Sequence, residues 1–588
     1  MSSSNKVLEV ENIYSSDSLA YNIGNKWLSW TQARGEWLEE KKEIRAYVFA
    51  TDTSKTTNAK DGWTNTTTLP KLCQIRDNLH ANYYAALFSS EKFMRFDQYT
   101  GEEGDHQKAK AIQAYMENKL READFRTTIS QCLYDYIDNG IALGDVEYVD
   151  EILTTADGET IAGFVGPRVV RVSPFDHVFD PTASTYVSAP KITRYVKSLG
   201  ELKSEAEDKP ELKYNLEAIA QMENIRSELS GYSSDDIYKA TGLIIDGFGD
   251  LNEYLQSPMV ELLMFEGDIH DMDGNLLRRQ KIIVMDRTKV IYQEDLPSWY
   301  GTSLKRAVSW RKRPDNLYGM GALDNLVGMQ YRLDHIENLK ADLFDLVAFP
   351  PIEVKGNDVQ EFEWKPGEII FTGEDGAVNL LNVDTGVLNY NFEINALQQQ
   401  MEELAGAPKQ AMGIRTAGEK TAYEVQSLEN AAGRIFQDKI NQFEIEFLEP
   451  LLNNMLEIAR RNLNGADTVR VMDNDLGVEA FMSITKEDIT AKGKIRAIGA
   501  RFFVERAQTV QNLTNFFNSA IGSDPAIKNH FSTEAMAFMI EDLFDLKRYG
   551  LVQPNVRIEE AADTMRLQSQ LQEDLQIESQ TEEEAIDE

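Results

Sequence analysis

The stretch GIRTAGEKT at residues 413–421 carries almost the letters of a phosphate-cradling loop, G-x-x-x-x-G-K-[ST]. In such a loop, backbone amides surround a nucleotide phosphate and the lysine reaches its oxygens. The match fails at one place: Glu419 stands between Gly418 and Lys420, where the lysine must follow the glycine directly. The preceding NALQQQMEELAGAP also reads as helix and then a break, where the motif needs an entering strand. A second stretch, DMDGN at 271–275, alternates acids with a glycine as calcium loops do, yet it lacks the spaced ligand set ending in glutamate and reads as a hairpin turn. The six histidines are scattered without HxxxH or HExxH spacing, so each reads as a core or surface residue; His177, in SPFDHVFDP, and His335, in a helical pattern, have no visible partner. Cys73 and Cys132 have no CxxC spacing and read as two core thiols in a reducing compartment. No GxSxG or other nucleophile motif stands out. The expectation is a non-enzyme with no metal site and no cofactor.

The elements around these residues set the frame. At 588 residues the chain exceeds one core, and a prior of ~150 residues per domain gives roughly three or four packed units. MSSSNKVLEVENIY has no basic stretch followed by an apolar run, and nowhere do about 18 apolar residues run together, so a soluble, unexported protein without membrane contact is expected. The net charge of −37 repels phosphates at long range, which argues against static wrapping of nucleic acid. The same repulsion suits a surface past which DNA slides, and it equally suits a simple solubility charge.

Segments 17–49 and 69–139 repeat apolar residues at helical spacing, such as Leu72, Ile75, Leu79, Tyr83 and Leu87, with a polar TNTTT loop between them. From about 141 the period becomes two: EYVDEILTTADGETIAGFV predicts strands around Asp157-Gly158, and 258–295 predicts a second β patch with turns at Asp273-Gly274 and near Asp286. Residues 319–348 predict one helix of roughly 45 Å, capped by Asp315 or Asn316 and stopped by Pro350-Pro351. Its apolar set, Leu323, Leu326, Met329, Leu333, Ile336, Leu339, Leu343 and Leu346, advances by about 3.3 residues, so the stripe drifts around a rod packed on more than one side. Residues 349–388 lose that period, with strand-like pieces at 351–354, 368–372 and 378–383, and hold eight acids against Lys355 and Lys365. Helix returns before 405, breaks through AGAPKQAMGIRTAGEKTA, and resumes with Phe436, Ile440, Phe443, Phe447 and Leu451 on one stripe; Pro450 removes a hydrogen bond and predicts a kink. Short strands follow 465, then helices over about 503–520 and 533–549, and the last 18 residues are an acidic tail.

The order helix, acidic β module, returning helix, glycine-containing loop and long helix resembles the portal, or head-to-tail connector, protein of tailed bacteriophages, especially short-tailed ones. The resemblance is carried by NLYGMGALDNLVGMQYRLDHIENLKADLFDLVAFPPIEV, MGIRTAGEKTAYEVQSLENAAGRIF and GPRVVRVSPFDHVFDPTA, and more loosely by ITKEDITAKGKIRAIGARFFVERAQTVQNL, across roughly 65–520. It implies an α+β, mainly helical fold that assembles as a twelve-subunit ring at one capsid vertex of the virion, built in the host cytoplasm. Double-stranded DNA would be packaged and ejected through its axis. The implied partners are the large terminase subunit, head-tail adaptor or tail proteins, and capsid and scaffolding proteins. It implies a variable N-terminal segment at 1–64, a wing at 65–318 and 421–502, stem helices at 319–348 and 389–404, a clip at 349–388, a tunnel loop at 405–420, a crown at 503–570 and a tail at 571–588. The stem would pack through Leu323, Leu326, Leu333 and Ile336, and the clip would present Glu353, Asp358, Glu361, Glu363 and Glu368 to terminase or adaptor. Lys409, Arg415 and Lys420 in the loop would meet DNA, or be solvated or paired with Glu419 and Glu424. An acidic scaffolding or adaptor protein is the alternative, set back by the β patches; an NTPase built on GIRTAGEKT comes last.

Overall fold

The fold is taken from a computed structural model that describes residues 17–51, 65–88, 93–99, 103–154, 160–180, 182–208, 213–227, 253, 257–270, 275–296, 303–314, 316–350, 352–355, 377–380, 391–406, 435–463, 465, 467–472 and 479–498. Helix and strand are mixed, as an α+β chain requires. The chain divides into one unit of Met1–Ala466 with Ile484–Arg501 and a second of Asp467–Ser483 with Phe502–Glu588. In the second, strands Asp467–Met472 and Glu479–Ile484 pair as a two-stranded sheet.

The first unit begins with helices α1 (Asp17–Ala33), α2 (Gly35–Val48) and α3 (Lys71–Leu87). The helical spacing of α3 buries Leu72, Ile75, Leu79, Tyr83 and Leu87. Strand β1 (Met94–Gln98) interrupts the expected helical quarter before α4 (Glu103–Glu122) and α5 (Phe125–Asp138) resume it. Alternating residues 94 and 96 are buried and 95 is exposed, a period of two too short to stand out from the helices beside it.

The β patches form two sheets. Strands β2 (Ile141–Thr154) and β3 (Thr160–Val172) pair antiparallel as expected, and β2 also takes β9 (Arg306–Ser309) on its other edge. Strands β4 (His177–Phe179), β5 (Lys191–Ser198), β6 (Met259–His270), β7 (Leu276–Met285) and β8 (Lys289–Asp295) form a five-stranded sheet in that order. The expected turn near Asp286 joins β7 to β8, while the Asp157-Gly158 and Asp273-Gly274 turns lie outside the described residues. On β6, Leu263 and Phe265 face α1, packing with Ile23 and Trp27. Val260 and Leu262 face α6 (Leu199–Asp208) and α7 (Leu216–Ser227), packing with Leu202, Ile219 and Met222. Both faces are thus covered, and each fully buried side chain of this size contributes about 1.5–3 kcal/mol relative to exposure. Ion pairs tie the sheet's end: Arg287 grips Glu261 through two bonds of 2.7 Å, and Arg226 meets Asp286 at 2.6 Å.

After β10 (Arg311–Arg313) and β11 (Asn316–Met320) the chain turns past Gly140, whose φ is +73°. A Cβ there would stand 2.3 Å from Gly321 N, so only glycine lets the two backbones meet. Helix α8 runs over Val327–Ala348, then β12 (Ile352–Lys355), β13 (Ala377–Leu380) and α9 (Asn391–Leu404). Helical residues 435–443 pass through a π segment, Glu444–Leu448, into α10 (Glu449–Asn462). Ile440, Phe443, Phe447 and Leu451 are buried, as their stripe predicts. Pro450 sits in the first turn of α10, directly after the π segment. That placement fits its chemistry, because a proline there lacks an N–H that the widened turn has already displaced from the regular ladder. Finally β16 (Gly493–Ala497; strands β14 and β15 are the pair of the second unit) joins β1 in an antiparallel ribbon.

Candidate functional site: the paired helices, their hairpin and the buried charges behind them

The expected single helix at 319–348 is corrected. Residues 316–320 are strand, and α8 starts at Val327 after a turn whose last residue, Leu326, supplies no side-chain cap. Asp324 at that turn accepts from Gly321 N at 3.0 Å and from the buried Lys41 ammonium at 2.5 Å, so the acid that organises the start lies beyond both expected caps, Asp315 and Asn316. Leu323 and Leu326 are fully buried, but in the turn before the helix. Leu333 is buried on α8, Ile336 is half-buried and Leu339 is 45% exposed.

The face α8 turns toward its own chain is polar. Gln330, Asp334, Asn338 and Asp342 recur every fourth residue and are buried beside Leu333. They hold residues 65–72, the loop at 65–70 and the first residues of α3. Asp334 accepts from Leu69 N and Thr68 Oγ1, both at 2.9 Å. Asn338 Nδ2 donates to Thr67 O at 2.8 Å, and Asp342 accepts from Asn65 N at 2.6 Å. Gln330 donates to Leu69 O at 2.5 Å and accepts from Leu72 N at 3.2 Å. The NTTTLP loop at 65–70, which has no helix or strand to satisfy its backbone, gets its partners from this ladder. The signal lies in the sequence as four amide or acid residues at a strict spacing of four, interleaved with the apolar stripe of the same helix.

Helices α8 and α9 pack together. Lys340 reaches Asn391 at 2.9 Å and Arg332 reaches Glu393 at 2.8 Å, so the two run antiparallel. Glu402 near the end of α9 is buried and takes the Lys71 ammonium at 2.5 Å. Between the helices β12 and β13 pair antiparallel, Ile352 opposite Leu380. The expected strands at 351–354 and 378–383 are thus placed at 352–355 and 377–380, and the one at 368–372 lies outside the described residues. Of the clip acids only Glu353 is described: Lys355 at 3.2 Å and the Asn379 amide at 3.4 Å hold its carboxyl below the usual range. Asp358, Glu361, Glu363 and Glu368 lie outside the described residues, as do Lys409, Arg415 and Lys420 of the loop and the helices expected after 503. Around the pair, Tyr331, Leu339, Phe344, Phe349 and Phe392 are exposed large apolar side chains.

Where the three-stranded and five-stranded sheets meet lies a buried charged cluster. Lys305, just before β9, pairs with Glu266 of β6 and stands 3.1 Å from Asp145 of β2. Ser303 also donates to Glu266. His177 is fully buried, its Nδ1 2.9 Å from Thr193 Oγ1 and its Nε2 2.9 Å from the Tyr186 hydroxyl. It therefore has two partners from strand and loop, which correct the partnerless expectation. Burial, with Lys305 and Lys191 adding, pushes its imidazole well below the ordinary range, so the ring is neutral. Burial would raise the Glu266 carboxyl, but Lys305 and Lys191 overcome that and hold it low. No local sequence signal exists for this cluster, because its members come from five separate stretches.

The cysteines divide. Cys132 is buried and burial raises its thiol, whereas Cys73 is half-buried on α3 beside Asp77 and does not belong to the core. Among the described residues no cluster of His, Cys, Asp or Glu has a metal-holding arrangement, and no helix is long and apolar enough to cross a membrane. Compared with known protein families and with curated proteins, the chain matches none.

Proposed function

We propose that this chain is the subunit of a viral portal: a ring-forming, non-enzymatic channel protein at one capsid vertex. Double-stranded DNA would enter and leave through the ring, with terminase docking during packaging and adaptor or tail proteins afterwards. The observation that carries the reading is the arrangement of α8, the β12–β13 hairpin and α9. Two antiparallel helices are joined by a β module, held to their own chain by a polar ladder, and leave Tyr331, Leu339, Phe344 and Phe392 outside. A lone subunit gains nothing from such exposure; a closed ring buries two different surfaces of every copy. In this reading α8 and α9 are stem helices, the hairpin belongs to the clip, 405–420 is the tunnel loop, the two sheets with α10 form the wing, and 503–570 is the crown.

The test is electron microscopy of the purified full chain with rotational averaging. Rings with an axial hole are the expected outcome, and a stable monomer at every concentration would overturn the reading. It would leave the acidic scaffold or adaptor as the better account.

A further inference from the structure

The ribbon of β1 and β16 presents cations on a chain whose net charge is −37. Met94, Phe96, Ile495 and Ala497 face inward and are buried, so the alternate residues face out. On β16 these are Lys494 and Arg496, with Lys492 just before the strand, all exposed. Arg95 stands directly opposite Arg496, and Tyr99, 70% exposed, ends the ribbon with its N–H bonded to Lys492 O at 3.0 Å. Asp97 is the single acid on this face. Its Oδ1 accepts from Arg95 Nε at 2.8 Å, and its Oδ2 lies 3.0 Å from Arg496 Nε. One carboxylate thus orients two guanidinium groups through their inner nitrogens, and their terminal nitrogens make no hydrogen bond among the described residues. Lys492 and Lys494 enter no ion pair among those residues. A shallow hollow of about 600 Å³ lies beside the ribbon, with Lys110 of α4 on its rim.

We propose that this ribbon is a phosphate-binding surface that takes the backbone of a DNA duplex. Alternate strand residues are about 6.8 Å apart, comparable to the step between successive phosphates of one nucleic-acid strand, so Lys492, Lys494 and Arg496 meet consecutive phosphates. The paired arginines offer the forked donors that fit a phosphate. A duplex fits better than a single strand, which is held by successive stacking aromatics; here Tyr99 is alone. The contact reads no sequence, because the lysines and the arginine forks are spent on phosphate, and contacts to the backbone carry no sequence information. The overall negative charge does not prevent it: at physiological salt the screening length is about 8 Å, so distant acids fade while the ribbon's cations act at contact. The inference rests on the ribbon alone and stands whether or not the chain forms a channel.

The test titrates a short mixed-sequence DNA duplex with the full chain at several salt concentrations, read by fluorescence anisotropy. Wild type should bind with strongly salt-dependent affinity. Lys492→Gln/Lys494→Gln/Arg496→Gln should weaken binding roughly tenfold or more at low salt and lower the log–log salt slope by about three, near 0.9 for each lost contact. Lys492→Arg/Lys494→Arg should retain it, as should Lys42→Gln/Lys213→Gln/Lys312→Gln, which removes equal charge elsewhere. An unchanged melting temperature for the ribbon variant excludes unfolding as the cause. The proposal falls if wild type does not bind the duplex, or if the two glutamine triples weaken it equally. It also falls if Lys409→Ala/Arg415→Ala/Lys420→Ala alone abolishes binding while the ribbon variant does not, or if phosphatidylserine vesicles bind and the duplex does not.

Discussion

The ammonium of Lys191 lies 4.2 Å from the centre of the Tyr186 ring and donates to the carbonyl of the same residue at 2.8 Å. It is 1% exposed, and its carboxylate neighbour across the strands, Glu266, is already engaged by Lys305 and Ser303. A buried cation with a carbonyl and a ring face for company loses solvation that neither fully replaces.

The consequence is a pH-dependent stability. Burial first, then Lys305 and Arg306 beside it, press the Lys191 amine down to about 7, against the attraction of Glu266 and Asp145. The folded state then holds fewer protons than the unfolded chain between about 7 and 10.5, the ordinary lysine value, so stability rises with pH across that window. Below 7 both states are charged and the desolvation cost stands in full. Lys191→Met should remove this rise, near 1.4 kcal/mol for each pH unit, in melting curves compared between the two proteins across the window; identical pH profiles would show that the amine stays charged.

The neighbouring Lys305–Glu266 pair should respond in the same sense, with stability again rising with pH, but at the acid end. Glu266 is held below its ordinary 4.5, so its contribution is present above that value and fades as the pH falls below it. Glu266→Gln leaves Lys305 buried beside Asp145 alone and should cost about 3–5 kcal/mol in urea unfolding. Lys305→Met combined with Glu266→Leu should cost less than either single change, since no uncompensated charge remains.

On α8, Asp334→Ala removes the acceptor of both Leu69 N and Thr68 Oγ1. Leaving buried donors unmet costs about 1–3 kcal/mol, and residues 65–72 should become cut faster in limited proteolysis. Asp334→Asn keeps an acceptor and should lie between. Equal cleavage in all three proteins would mean that Lys71–Glu402 and the remaining ladder hold the strap without Asp334.

The exposed apolar residues of α8 give the assembly prediction. Leu339→Lys with Phe344→Lys should abolish rings in micrographs while leaving the subunit's melting temperature within about 1 °C, since exposed substitutions away from special features change stability by under about 0.5 kcal/mol. Rings that persist with both lysines in place would move the interface off α8.

The legible part of this fold is what periodicity encodes. The α3 and α10 stripes, the β2–β3 hairpin and the β patch at 258–295 follow from one local rule each: burial repeats every three to four residues in a helix and every two in a strand. Residues 319–326 misled for the same reason. Leu323 and Leu326 have helical spacing, yet Gly140 lets the chain turn tightly there and Asp324 anchors the turn. Neither fact is visible within a window of the sequence.

By itself, the sequence determined the types of the long periodic elements, the acidic charge and the absence of a spaced ligand or nucleophile motif. Those are properties of single segments or of the whole composition. Tertiary structure alone decided which residues meet: Lys191 with Tyr186, Lys305 with Glu266 and Asp145, the polar ladder with residues 65–72, and Arg95 with Arg496 around Asp97. Apart from Lys191 and Tyr186, five residues apart, these pairings join residues far apart along the chain, and the energy of the buried ones exists only once folding has removed water from between them.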